Sequence, residues 1–120
     1  VEYYNRVLGK KGEEEAEVFF RSQGFDIISR NFRFGKKGEI DLIAFKDGLL
    51  LFIEVKKRAS SLYGGAVFSI NRRKAATIRG TANYFLAQNP EFNLKEIICR
   101  FDLLAIEDNE LVWHQDVIRW

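Results

Sequence analysis

The sequence predicts an α/β domain with a mixed central sheet flanked by helices, and three observations predict it. Two segments carry apolar residues at helical spacing. Five others carry alternating or continuous apolar runs of strand length. Helices and strands interleave in the order α-β-β-β-α-β-β, the pattern of a sheet covered by helices. At 120 residues, with 47% hydrophobic and 14% aromatic side chains, the chain fits one domain with a packed core. It shows no internal repeat, low-complexity stretch or disordered signature.

The first helix is predicted over about Leu8 to Gln23, with Gly24 as its C-terminal stop. Leu8, Gly12, Ala16, Phe19 and Phe20 form its apolar stripe. A step of roughly 100° per residue puts Glu13 beside Ala16 and Phe20 at the stripe's edge, and Glu14 on the other side. "FDIISRNFRF" reads as a strand with Phe25, Ile27, Phe32 and Phe34 alternating around an irregularity. "GEIDLIAFKDGLLLFIEVKKR" reads as a hairpin turning at Asp47-Gly48. "ASSLYGGAVFS" has the small residues of a loop, where Tyr63 could stack on a base. The second helix is capped by Ser69 or Asn71, buries Ala75, Ile78, Ala82 and Phe85, and stops at Asn89-Pro90. "EIICRFDLLAI" and "LVWHQDV" complete the sheet, joined by the acidic turn "EDNE".

The hairpin carries the chemistry. If Asp47 and Gly48 alone form the loop, cross-strand partners have numbers that sum to 95. Asp41 then faces Glu54, Glu39 faces Lys56, and the period of two puts all four on one face. The other face, Ile40, Leu42, Ala44, Leu49, Leu51, Ile53 and Val55, is continuous core. Toward the turn the charged face carries Ile43, Phe45, Leu50 and Phe52, so a helix must cover it and the charges sit at a cleft's rim. Two carboxylates about 5 Å apart repel by roughly 3 kcal/mol at an effective dielectric near 20. A proton or a cation relieves that repulsion. Hard oxygen donors with no cysteine or histidine nearby favour Mg²⁺ or Mn²⁺. Lys56 would stand beside such an ion, placed to act on a water or to neutralise phosphate charge. Cross-strand ion pairing, Glu39 with Lys56, is the structural alternative.

Composition narrows the remaining classes. The single cysteine, Cys99, excludes an internal disulfide and a multi-cysteine zinc site, and the single histidine, His114, excludes a histidine-rich centre. The longest apolar run, Leu49 to Ile53, is far short of a membrane span, and the N-terminus has no apolar leader. These features point to a soluble cytoplasmic protein without membrane association. Net charge is only +2, so any electrostatic footprint must come from local clustering. Trp113 and Trp120 read either as core-closing residues or as the contact of a homodimer.

The spacing of Asp41 from Glu54-Val55-Lys56 resembles the PD-(D/E)XK nuclease superfamily. The ordered set "GKKGEEEA", "RNFR", "GEIDLIA", "FIEVKKR" and "RFD" resembles more closely the YraN-like family of uncharacterised bacterial proteins, over nearly the whole chain. Ile40 stands where the superfamily places a proline. The resemblance implies one restriction-endonuclease-like domain over residues 1–120, with an αβββαβ core. It implies Mg²⁺ (or Mn²⁺) held by Asp41 and Glu54, with Glu13 as a further acid from the first helix and Lys56 assisting the attacking water; the hairpin register adds the Val55 carbonyl as an expected ligand. It also puts a lysine at the start of the second helix, which is Lys74 here.

The expected activity is hydrolysis of DNA phosphodiesters, with branched or structured DNA among the candidate substrates. Arg30, Arg33, Lys57, Arg58, Arg72, Arg73 and Lys74 are the expected nucleic-acid contacts, converging on one cleft. A non-catalytic nucleic-acid-binding module is the alternative, and a protein-interaction domain using the aromatic C-terminus is a third reading. Two opposed acids favour the enzyme, because they do nothing for DNA binding.

Overall fold

The computed structural model describes residues 2–58, 70–107 and 110–120, with side chains for all of these but 2–11 and 58. The expected loop 59–69, with Tyr63 and Ser69, lies outside the described residues. Helix α1 (Glu2–Ser22) begins earlier than its apolar stripe suggests. It ends as expected at Gly24, whose φ of 91° suits glycine, while the Phe25 N–H reaches back to the Phe20 carbonyl at 3.0 Å. Strands β1 (Asp26–Arg33), β2 (Glu39–Lys46) and β3 (Leu49–Arg58) follow, then helix α2 (Arg72–Gln88). Asn71 caps α2, its side chain accepting the Lys74 N–H at 2.8 Å. A short 3-10 turn (Pro90–Phe92), which the sequence pattern does not announce, leads to β4 (Ile98–Glu107) and β5 (Glu110–Ile118).

The five strands form one sheet in the order β1-β2-β3-β4-β5. Only β3 and β4 run parallel, because α2 is the crossover between them. The other neighbours are antiparallel. This is a mixed α/β architecture with a helix on each face. Ala16 and Phe20 of α1 pack on Leu42, Ala44, Leu51, Ile53 and Leu104. Ile78, Ala82 and Phe85 of α2 pack on Ile43, Leu50, Phe52 and Phe101 on the opposite face. No helix among the described residues is long and apolar enough to cross a membrane.

The hairpin register is the one its turn chemistry predicts. Lys46 pairs with Leu49, Ala44 with Leu51 and Leu42 with Ile53, so each pair sums to 95. Asp47 and Gly48 both have positive φ, at 47° and 79°.

Asp102 in β4 has a structural task. It is 1% exposed, and its carboxylate accepts from Arg100 Nε and Nη2 and from Trp113 Nε1, each at 2.8 Å. The Asp116 N–H adds a fourth bond at 3.0 Å. Asp116 stands at φ 56°, where the β4–β5 register shifts between Phe101 and Leu103. A buried carboxylate thus holds an edge-strand bulge in place. Trp113, pinned this way, meets Phe19, Phe20 and Phe25 edge to face and closes the α1 side of the core. Asp102→Ala should cost about 3–5 kcal/mol, because a guanidinium and an indole N–H lose their buried acceptor. Urea unfolding would measure this, and a loss below about 1 kcal/mol would mean that the bulge is held by something else.

Candidate active site

Along β3 the alternation is regular. Leu51, Ile53 and Val55 face α1, and Leu50 and Phe52 face α2. Glu54 follows the second set, since its Oε1 meets Lys74 Nζ of α2 at 2.9 Å. Lys56, two residues on and half-buried, shares that face. Along β2 the alternation breaks. Leu42 belongs to the α1 side, yet Ile40 packs with Ile43 on the α2 side. The sequence expectation that Ile40 lies with Leu42 is therefore corrected. The break follows from the ladder: Leu42–Ile53 is the last β2–β3 pair, and beyond it β2 keeps company with β1 alone. Gly38 lets the strand's entry lie against α2, since a Cβ there would come within 2.2 Å of Thr81 Oγ1 and 2.8 Å of Thr77 Cγ2.

Asp41 sits in the gap where the two strands part. Its Oδ2 accepts the Val55 N–H at 2.9 Å, replacing the carbonyl that a neighbouring strand would supply. A strand residue carries its N–H and C=O on the same edge, so the Val55 carbonyl faces this gap too. The direct pairings Asp41–Glu54 and Glu39–Lys56 expected from the hairpin are absent from the ladder. Glu39 instead pairs with Arg33 of β1, in backbone register and in an ion pair at 3.5 Å.

Glu13 enters from α1, where Gly12 permits a close approach, since a Cβ there would lie 3.0 Å from Lys57 Cβ. Between Glu13 and Glu39 stands Asn31. It occupies the left-handed region at φ 50°, which asparagine tolerates better than most residues. Oriented to satisfy its hydrogen bonds, its amide donates to Glu39 Oε1 at 3.2 Å and Glu13 Oε2 at 3.1 Å.

Four carboxylates thus crowd one opening, and their partners differ. Lys74 serves Glu54. Arg33 and Asn31 serve Glu39. Among the described residues, Asn31 serves Glu13. Asp41 has a backbone N–H and, among the described residues, no cation. Burial first, then the charge of Glu54, push its pKa up to about 7, and Glu13 and Glu39 add to the effect against the Val55 hydrogen bond. Glu13 is also raised, chiefly by burial and further by Glu39 and Glu54, although the Asn31 bond opposes the shift.

Two cavities reach Asp41 from opposite faces of the sheet. One of about 400 Å³ on the α2 side is lined by Glu39, Asp41, Glu54, Asn71, Arg73 and Lys74. One of about 340 Å³ on the α1 side includes Glu13, Glu17, Arg30, Asn31 and Asp41.

The expected nucleic-acid cations do not gather in one cleft. Arg30 lies on the α1 side, bonded to Glu17. Lys57 is there too, paired with Glu15. Arg33 and Lys74 are at the acidic opening, and Arg73 faces the α2-side cavity. Arg72 is exposed at the start of α2, and the Arg58 side chain lies outside the described residues. Asn31 and the Arg33–Glu39 pair had no assigned role in the sequence reading. An asparagine interrupting a β-patterned run was the available signal.

The donor set suits a hard divalent cation. Among the described residues no group of three or more His, Cys, Asp and Glu is arranged to hold a metal. Asp41 and Glu54 are hard oxygen donors of the kind Mg²⁺ takes, with few carboxylates and several waters.

The sequence profile of the uncharacterised protein family UPF0102 matches residues 12–106, which include all of these acids and Lys56 and Lys74. A UPF0102 protein of Halorhodospira halophila is 37% identical over 114 residues, covering 95% of this chain and 88% of that one. One from Natranaerobius thermophilus is 40% identical over 108 residues, covering 90% and 89%. One from Neisseria gonorrhoeae is 39% identical over 105 residues, covering 88% of each.

The raised pKa of Asp41 has a stability consequence in metal-free protein. The folded value, about 7, exceeds the ordinary 3.8. The group's contribution is therefore fully present below 3.8, declines as pH rises, and is gone above about 7. Asp41→Asn keeps an acceptor for Val55 and removes the charge, so it should stabilise the metal-free protein by about 2–3 kcal/mol at pH 8. The gain should shrink toward pH 4. Thermal unfolding across that range would check it; destabilisation at pH 8 would show that the ionised carboxylate is an asset to the fold.

Proposed function

This chain belongs to the uncharacterised protein family UPF0102, and we propose that it is a metal-dependent nuclease of the PD-(D/E)XK superfamily that hydrolyses DNA phosphodiesters. The observation that carries this reading is Asp41, buried beside Glu54, with no cation of its own among the described residues, and raised to about 7. The bond to Val55 needs an acceptor there but not a second carboxylate beside it, and a divalent ion would relieve the repulsion. The element order α1-β1-β2-β3-α2-β4 supports a restriction-endonuclease-like core.

Asp41, Glu54 and the Val55 carbonyl would hold Mg²⁺ or Mn²⁺, with Glu13 joining through a water. When bound, such an ion lowers the pKa of a coordinated water and stabilises charge on the phosphate. Lys56, on the Glu54 face, orients the attacking water and compensates its developing charge. The α2-side cavity, with Arg73 and Lys74, admits the phosphate. The α1-side cavity, lined by Glu13, Glu14 and Glu17 around Arg30, repels it. The split of the cations between the two faces thus gives the backbone one direction of approach.

Incubation with branched, single-stranded and duplex DNA, with and without Mn²⁺, tests the reading. The parent should cleave at least one of them only with metal, and Asp41→Asn should lose both cleavage and Mn²⁺ binding. Lys56→Ala should lower cleavage by about 10²-fold or more while keeping Mn²⁺ binding. Full activity in both variants would contradict the roles assigned here. DNA binding with no cleavage of any substrate would support a binding module instead.

A further inference from the structure

We propose that Lys74 is a built-in substitute for the divalent cation, neutralising Glu54 in the metal-free protein and leaving it when the site is loaded. The inference rests on the reading of Asp41 and Glu54 as metal ligands, and it concerns what the protein does before and after that ion binds.

The two partners of the ion pair are unequally mobile. Glu54 is 12% exposed at its side chain and Lys74 is 37% exposed. Glu54 is set on a central strand paired to β4 through Leu103. Lys74 is anchored at its backbone, where its N–H is fixed by the Asn71 cap, but its stem is long and half in solvent. The ammonium can therefore leave while the carboxylate stays. It must leave if a divalent cation is to take Oε1, because an ammonium 2.9 Å from that oxygen occupies the space of a ligated ion and would repel it.

Once free, Lys74 still lines the α2-side cavity together with Arg73 and Asn71. Its charge is then available to a phosphate oxygen at the place where the chain reads as admitting one. Loading the site thus turns an internal counter-ion into a phosphate contact. By linkage, a nucleic-acid backbone and a divalent cation should each raise the affinity for the other.

Calorimetric titration with Mn²⁺ tests this on four proteins: the parent, Lys74→Gln, Lys74→Arg and Arg73→Gln. Lys74→Gln should bind Mn²⁺ about three- to tenfold more tightly, since a competing, partly exposed ion pair and a nearby like charge are both removed. Lys74→Arg, which keeps the competitor, should stay close to the parent, and Arg73→Gln, which removes a charge from the same cavity but not the ion pair with Glu54, should gain clearly less than Lys74→Gln. Metal-free Lys74→Gln should unfold at a lower temperature than the parent, because Glu54 loses its cation. A merely structural lysine would lower stability and metal affinity together, whereas a competitor moves them in opposite directions. If Lys74→Gln does not fold, Lys74→Met keeps the aliphatic stem and repeats the measurement. Parent-like or weaker Mn²⁺ binding by a folded charge-removing variant overturns the inference and leaves the metal site standing. Absence of Mn²⁺ binding by both parent and variant overturns the metal reading itself, and this inference with it.

Discussion

Where β2 leaves β3, the Asp41 carboxylate takes the Val55 N–H that a strand carbonyl would otherwise accept. That one bond joins the fold to the chemistry proposed for it. It satisfies a backbone donor at the point where the ladder ends. It also fixes an acid in the gap between two strands, where both faces of the sheet can reach it. The carboxylates around it come from three different elements: Glu13 from α1, Glu39 from the start of β2 and Glu54 from β3. Each approach has its own enabling residue. Gly12 lets α1 close on β3, Gly38 lets β2 enter beneath α2, and Asn31, at a positive φ in β1, bridges two acids with its amide.

The electrostatic cost of this crowding is met in two ways. Glu54 and Glu39 are given cations, while Asp41 is driven toward its protonated form. Neither solution is needed for packing, because the hydrophobic faces on the α1 and α2 sides are closed without these acids. Stability is spread over those two apolar faces and the Asp102 lock, at a distance in chemistry from the opening. A functional reading of the strained end is the simpler account, since proteins concentrate such costs where they act.

Much of this was legible in the sequence, and what was missed has physical reasons. The Asp47-Gly48 turn fixed the register of β2 against β3, because a two-residue loop allows one pairing. Helical periodicity put Glu13 at the edge of the first helix's apolar stripe and the family resemblance put it at the site, while the Asn71 cap and Gly24 stop were readable from local rules. The direction of Ile40 was not readable. A side chain that replaces a strand partner interrupts the period of two, and periodicity cannot foresee its own interruption. The role of Asp102 was hidden because its partners come from β5 and from its own strand, 2 to 14 residues away. The division of the cations between the two faces was hidden too, since Arg30 and Lys57 found acids on α1 that only the packing of α1 brings near.

The central claim is that the gap between β2 and β3 is built to receive a divalent cation. Anomalous diffraction from a crystal soaked in Mn²⁺ tests it most directly. The account predicts a single strong peak within coordination distance of the Asp41 and Glu54 carboxylates and the Val55 carbonyl. A fully soaked crystal with the opening free of lattice contacts and no anomalous density between these groups would contradict it.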